Sequence, residues 1–173
     1  MKPIHIWIPL QLNDAYIYHG NIFAVTNNGG IISIALSKIV NHAIKQIADS
    51  ETILTFAITR NDWYSTDISK IIFRSRTFFP HFIKSWKRIS NHGKIIIEIG
   101  DSDLEYMQTT PDANILDMKM YGMKLFLAGR EGLHESAVKF DEKSNLPELG
   151  NFERVFDSKT ISLSAKNGAV MLS

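Results

Sequence analysis

The sequence contains no cysteine. That excludes a disulfide framework, a thiolate zinc site and a cysteine nucleophile, and it makes a reducing compartment, the cytoplasm, the expected setting. It also has no apolar run near the roughly 18 residues that a membrane span needs; stretches such as Ile31 to Leu36 and Ile95-Ile96-Ile97 are far shorter. Its start, Met1-Lys2-Pro3-Ile4-His5-Ile6-Trp7-Ile8-Pro9, breaks any apolar core of a signal peptide with two prolines and a histidine, so neither a leader nor a membrane partner is expected. Catalytic signatures are missing too. There is no Gly-x-Ser-x-Gly elbow, Walker-type loop or dinucleotide fingerprint, and Gly29-Gly30 by itself is a turn. No cofactor is expected, and the chain reads more as a non-enzyme than as an enzyme.

What remains is an ordinary globular composition. An apolar fraction of 45% and a charged fraction of 21% over 173 residues argue for a folded core and one domain. The net charge of +1 hides an asymmetry: residues 1–97 carry eleven Lys/Arg against five Asp/Glu, residues 98–173 eight against thirteen. From Ile68 to Ile97 there is no acidic residue at all, while Lys70, Arg74, Arg76, Lys84, Lys87, Arg88 and Lys94 all fall there. Such a stretch suits a polyanion, an acidic partner surface, the acidic half of the same chain, or plain solvation.

The clearest local pattern is strand, turn, strand. Asn21 to Thr26 and Ile31 to Leu36 are β-branched or aromatic runs separated by Asn27-Asn28-Gly29-Gly30, residues that tolerate the positive φ of a tight reversal. The pattern recurs around Arg130-Glu131-Gly132, between Lys124 to Gly129 and Leu133 to Phe140. It recurs again around Lys166-Asn167-Gly168, between Thr160 to Ala165 and Ala169 to Leu172. Gly29, Gly132 and Gly168 are 103 and 36 residues apart, close to multiples of a period of 34 to 36. Further strands are expected at Ile53 to Thr59, Lys94 to Ile99 and Phe152 to Phe156.

On Phe126-Leu127-Ala128-Gly129-Arg130-Glu131-Gly132 and Ile161-Ser162-Leu163-Ser164-Ala165-Lys166-Asn167-Gly168, the chain loosely resembles the β-propeller repeat class, of which WD-repeat proteins are the familiar members. The resemblance covers about half the chain; neither the Gly-His nor the Trp-Asp pair of WD repeats stands in register. It implies a mainly β fold of antiparallel sheets in an incomplete, blade-type arrangement, with one or two helices. At about 35 to 45 residues a blade, the length supplies roughly four.

Two stretches have helical spacing instead. Ile39, Val40, Ala43, Ile44 and Ile47 follow Ser37, a candidate cap, and predict a helix over Lys38 to Ala48. Phe78, Phe79, Phe82, Ile83, Trp86 and Ile89 predict another, with Pro80 in its first turn. In the bladed reading both would be outer strands and connections; if both are helices, an α+β sandwich with two helices on one antiparallel sheet is the alternative fold. The chain stops in an apolar run after a turn, so it is expected to be the amino-terminal part of a longer protein, to pair its last strand with another polypeptide, or to pair that strand within its own sheet.

The function expected from this scaffold is contact: a protein-protein interaction module presenting loops and sheet edges. Candidate loops are Asn27 to Gly30, Asn61 to Ser65 and Gly129 to Gly132, with Trp63, Tyr64, Arg130 and Glu131 as partner-binding residues. The partner is another protein or the remainder of a longer chain. The alternative is nucleic acid bound by the basic and aromatic segment 70–94 through Arg74, Arg76, Lys84, Lys87 and Arg88; if that segment is helical, core packing accounts for its aromatics. The six histidines show no metal-ligand spacing, and Asp101, Asp103 and Glu105 read as a solvated acidic turn sharing one strand face or lining a loop, or as a calcium loop without the EF-hand glycine and distal glutamate.

Overall fold

A computed structural model describes residues 4–46, 74–91, 95–112, 114–166 and 169–172. The strand expected at Ile53 to Thr59 lies outside them. Among the described residues the fold is mainly β, with three antiparallel sheets and two helices. The chain divides into two compact units: residues 1–9 with 36–101, and residues 10–35 with 102–173. The charge asymmetry follows this division, since the first unit holds eleven Lys/Arg against six Asp/Glu and the second eight against twelve.

In the first unit, strand β1 (Ile4–Trp7) pairs with β5 (Ile95–Glu98), Ile4 opposite Ile95. The pair is parallel, which corrects the expectation that Lys94 to Ile99 joins an antiparallel sheet; its partner lies some 90 residues away in the chain and no local turn announces it. Helix α1 (Leu36–Gln46) buries Leu36, Ile39, Val40 and Ala43, packs on β5 and donates from Gln46 Nε2 to Ile96 O at 2.7 Å. It starts two residues before the expected Lys38, so Ser37 stands inside its first turn and does not cap it. Helix α2 (Phe78–Asn91) buries Phe82 and Ile89. Its cap is Ser75, whose Oγ accepts from Phe78 N–H at 3.0 Å and whose carbonyl accepts from Phe79 N–H at 3.1 Å.

The second unit is a stack of three sheets. The first runs in the order β2 (Leu12–Tyr18), β3 (Asn21–Thr26), β4 (Gly30–Ala35), β6 (Glu105–Thr109). The second runs β7 (Ile115–Tyr121), β8 (Lys124–Gly129), β9 (Gly132–Phe140), β10 (Pro147–Leu149), with β11 (Glu153–Phe156) also on β9. The third is β12 (Leu163–Lys166) with β13 (Ala169–Leu172). Among the described residues there are two helices and three antiparallel sheets, where the α+β alternative had one such sheet.

Strand β8 explains why a run such as Leu125-Phe126-Leu127-Ala128 does not alternate with polar residues. Leu125 and Leu127 face a core with Phe23, Val25 and Ile31 of the first sheet; Phe126 and Ala128 face Leu133 and Leu163, the latter from the third. A strand covered on both faces needs apolar side chains at every position. Each deeply buried side chain of this kind contributes about 1.5–3 kcal/mol from removal of apolar surface from water.

The first strands of successive sheets lie side by side, β2 by β7 and β7 by β12. They share one polar link, made twice. Asp14 follows a bulge in β2; its Oδ1 accepts from Ala15 N–H at 2.8 Å and its Oδ2 from Met118 N–H on β7 at 2.8 Å. Asp117 follows a bulge in β7; its Oδ1 accepts from Met118 N–H at 2.9 Å and its Oδ2 from Leu163 N–H on β12 at 2.6 Å. Lys119 braces this link, with Nζ 2.9 Å from Asp117 Oδ1 and 5.6 Å from the centre of the Tyr16 ring on β2.

This equivalence revises the glycine period. Asp14 and Asp117, like Gly29 and Gly132, are 103 residues apart, and the segment between β4 and β6 fills much of that interval. In the second sheet the corresponding connection, from β9 to β10, needs only residues 141–146. Gly29 and Gly132 both end reversals between second and third strands, whereas the Lys166–Ala169 reversal joins a first strand to a second and matches the turns at His19-Gly20 and Gly122-Met123. The 36-residue spacing therefore compares unlike turns.

Candidate partner-binding rim

Two of the three loops singled out in the sequence are tied together by hydrogen bonds. The first reversal, Asn27-Asn28-Gly29, closes with Gly29 N–H donating to Thr26 O at 3.0 Å, and Gly29 has a φ of 81° that suits glycine. Asn27 is held from below by Gln11, its N–H on the Gln11 carbonyl at 3.0 Å and its Nδ2 on Oε1 at 2.6 Å. Thr110, just beyond β6, then donates its N–H to Gly29 O at 2.7 Å and its hydroxyl to Asp112 O at 2.7 Å. The buried Asp112 carboxylate accepts from Asn114 N–H at 2.7 Å and from Glu131 N–H at 2.8 Å, in the second reversal. The chain Gly29, Thr110, Asp112, Glu131 thus fixes both reversals on one rim of the stack, leaving Asn27, Asn28, Arg130 and Glu131 exposed.

Behind Arg130 and Glu131 sits a polar group that the sequence reading missed. Arg154 on β11 lies opposite His134 on β9; its Nε donates to His134 Nε2 at 3.4 Å and its Nη2 meets Glu131 Oε2 at 3.4 Å. With Nε2 accepting, the neutral imidazole carries its hydrogen on Nδ1, a buried atom with no partner. Burial, and after it the positive charge of Arg154, hold the His134 pKa below the ordinary histidine value. Thr110-Pro111-Asp112, a turn-type sequence two residues before Asn114, was the available signal for the Asp112 brace; nothing local marked His134 and Arg154, which meet only through strand pairing.

The remaining candidates lie elsewhere. Trp63 and Tyr64 are outside the described residues. Arg74 and Arg76 are exposed ahead of α2, and Lys84, Lys87 and Arg88 are exposed on it, while Phe82 is buried and stacked 6.3 Å from Trp86. Core packing therefore accounts for at least this part of the aromatic pattern. The acidic triplet does not share a strand face: Asp101 and Asp103 are in a one-turn 3-10 helix and Glu105 begins β6. Among the described residues no three His, Asp or Glu side chains gather at metal-binding distance, and no helix is long and apolar enough to cross a membrane.

Comparison with protein-family models, curated proteins and solved structures finds no match to this chain.

Proposed function

We propose that this chain is a non-catalytic protein-recognition module that presents the Asn27–Gly30 and Gly129–Gly132 reversals as a preformed surface. The observation behind this reading is the hydrogen-bonded brace from Gly29 through Thr110 and Asp112 to Glu131. Side chains held on loops that are already ordered lose little further entropy on binding, so their polar contacts count toward affinity. Arginine, asparagine and glutamate on such loops supply directional donors and acceptors, and Arg154 aligns Glu131 from behind. A radial, propeller-like stacking of the three sheets is part of the proposal, supported by the side-by-side first strands and the repeated Asp14 and Asp117 links. The cytoplasm is its proposed location, as the cysteine-free composition suits.

The test is affinity capture with the whole chain as bait, comparing wild type, an Arg130→Ala/Glu131→Ala variant, and a Trp63→Ala/Tyr64→Ala variant. The expected result is a protein partner whose recovery drops at least about tenfold with the Arg130 and Glu131 changes, equivalent to about 1.4 kcal/mol, and is little altered between low and moderate salt. Recovery of nucleic acid with a steep salt dependence, lost on joint neutralisation of Arg74, Arg76, Lys84, Lys87 and Arg88, would replace this reading with the polyanion one.

A further inference from the structure

The second unit carries a groove whose lining includes none of the residues of the reversals just described. It has a volume of about 470 Å³ and is lined by residues 105–108 of β6 and residues 146–149, which include β10. Each of these strands ends the ladder of its sheet: β6 pairs with β4, and β10 with β9. Gln108 Nε2 bridges the two sheets by donating to Gly150 O at 3.1 Å.

The two walls differ in what they offer. β10 has three residues and begins with Pro147, which has no N–H to donate. β6 is longer, and its register on β4 jumps from Tyr106 to Gln108, leaving Met107 as the extra residue outside the ladder. Tyr106 is 64% exposed, among the most exposed large apolar side chains described. An open strand edge beside a groove selects an extended backbone, because only an extended chain matches the spacing of its N–H and C=O groups. The charge of the lining selects further: Glu105 and Glu148 contribute carboxylates and no lysine or arginine lines the groove, in a unit with eight basic against twelve acidic residues. Lys139, opposite Glu148 in the β9–β10 register, shares its face but lines an adjacent pocket and not this groove.

We propose that this groove binds an extended, lysine- or arginine-bearing segment of a partner protein, which adds as a strand to the β6 edge, packs an apolar side chain on Tyr106 and places its cation by Glu148. This deepens the protein-recognition reading but uses a different surface from the Arg130 and Glu131 rim, so the two can fail separately.

The experiment measures fluorescence anisotropy of the whole chain with three labelled probes: a short peptide of alternating valine and lysine, its glutamate counterpart, and the lysine peptide N-methylated at alternate residues. The lysine peptide is expected to bind at least about tenfold more tightly than either of the others. Tyr106→Ala and Glu148→Gln should each weaken it, and Glu148→Lys should shift preference toward the glutamate peptide. Arg130→Ala/Glu131→Ala should leave peptide binding unchanged, and circular dichroism of each variant confirms that it is folded. Equal binding of both charges, indifference to N-methylation, or no binding of the lysine peptide by the folded wild type overturns the proposal. Peptide binding lost through the rim variant would overturn it as well, whereas loss through the groove variants alone sustains it whatever becomes of the rim.

Discussion

Single positions carry most of the sequence's conformational information, and the glycines grade it. Gly122 has a φ of 58° with nothing within 4 Å of where a Cβ would stand, so Gly122→Ala should cost only the left-handed penalty, about 1 kcal/mol. Gly132 has a φ of 134°, and an added Cβ would fall 2.0 Å from Phe156 O, a backbone atom that cannot swing aside. Gly132→Ala should therefore destabilise by about 2–3 kcal/mol or more, as strain and overpacking add. Urea unfolding of the two variants checks the order; equal losses would mean that the β9–β11 approach is looser than described. Asp112 is the matching test for a polar side chain, since Asp112→Ala strands the N–H groups of Asn114 and Glu131 and should cost about 1–3 kcal/mol. Gly29 and Gly132 were legible as turn residues because their chemistry is local. The reason Gly132 tolerates nothing else was not, because Phe156 reaches it from another strand.

Among the elements, those defined by neighbouring residues could be read and those defined by distant ones could not. The β3–β4, β8–β9 and β12–β13 hairpins and both helices fall within a few residues of their expected places, since turn residues and helical spacing act over short range. The pairings β1 with β5 and β4 with β6 escaped, because each joins segments separated by the long insertion and leaves no turn signal. The same segment sets the spacing of the glycines: two matching reversals stand 103 residues apart, which only looks like a multiple of a 34 to 36 residue period. Helix α2 shows how to separate packing from charge on a segment that the sequence left ambiguous. Phe82 is 4% exposed, so Phe82→Ala should destabilise by about 3–5 kcal/mol. Lys84→Glu would remove like-charge neighbours at Lys87 and Arg88, three and four residues on, and should stabilise by a few tenths of a kcal/mol, or about 0.2–0.5 for each relieved pair. Thermal unfolding separates the two, and a destabilising Lys84→Glu would mean that the cationic face has an anionic partner within the chain.

At the scale of the whole molecule, the links between sheets predict how it responds to acid. Asp14 and Asp117 both accept the Met118 N–H, so they form one network and not two. Each change to alanine should cost about 1–3 kcal/mol, and a double-mutant cycle should show coupling of about 0.5 kcal/mol or more. Ser162 stands where a third carboxylate would continue the series, one residue before the Leu163 donor, so the network ends there within this stack. Burial pushes the Asp117 carboxyl up, but the hydrogen bonds from the Lys119 ammonium and the Leu163 amide outweigh it and leave the pKa below its ordinary value. A carboxylate of this kind contributes stability that is complete above the unfolded value of about 3.9 and is lost as pH falls through the lower folded value. His134 acts at higher pH. Its folded pKa is depressed, so the unfolded chain takes up the proton first, and the contribution of the neutral ring declines once pH drops below about 6.5. The free energy of unfolding should accordingly fall in two stages as the solution is acidified, measured by denaturant titrations across pH. His134→Gln should flatten the upper stage alone and Asp117→Asn the lower alone. A single stage unchanged by either variant would show that neither the histidine behind the rim nor the carboxylate between the sheets couples protonation to the stability of the stack.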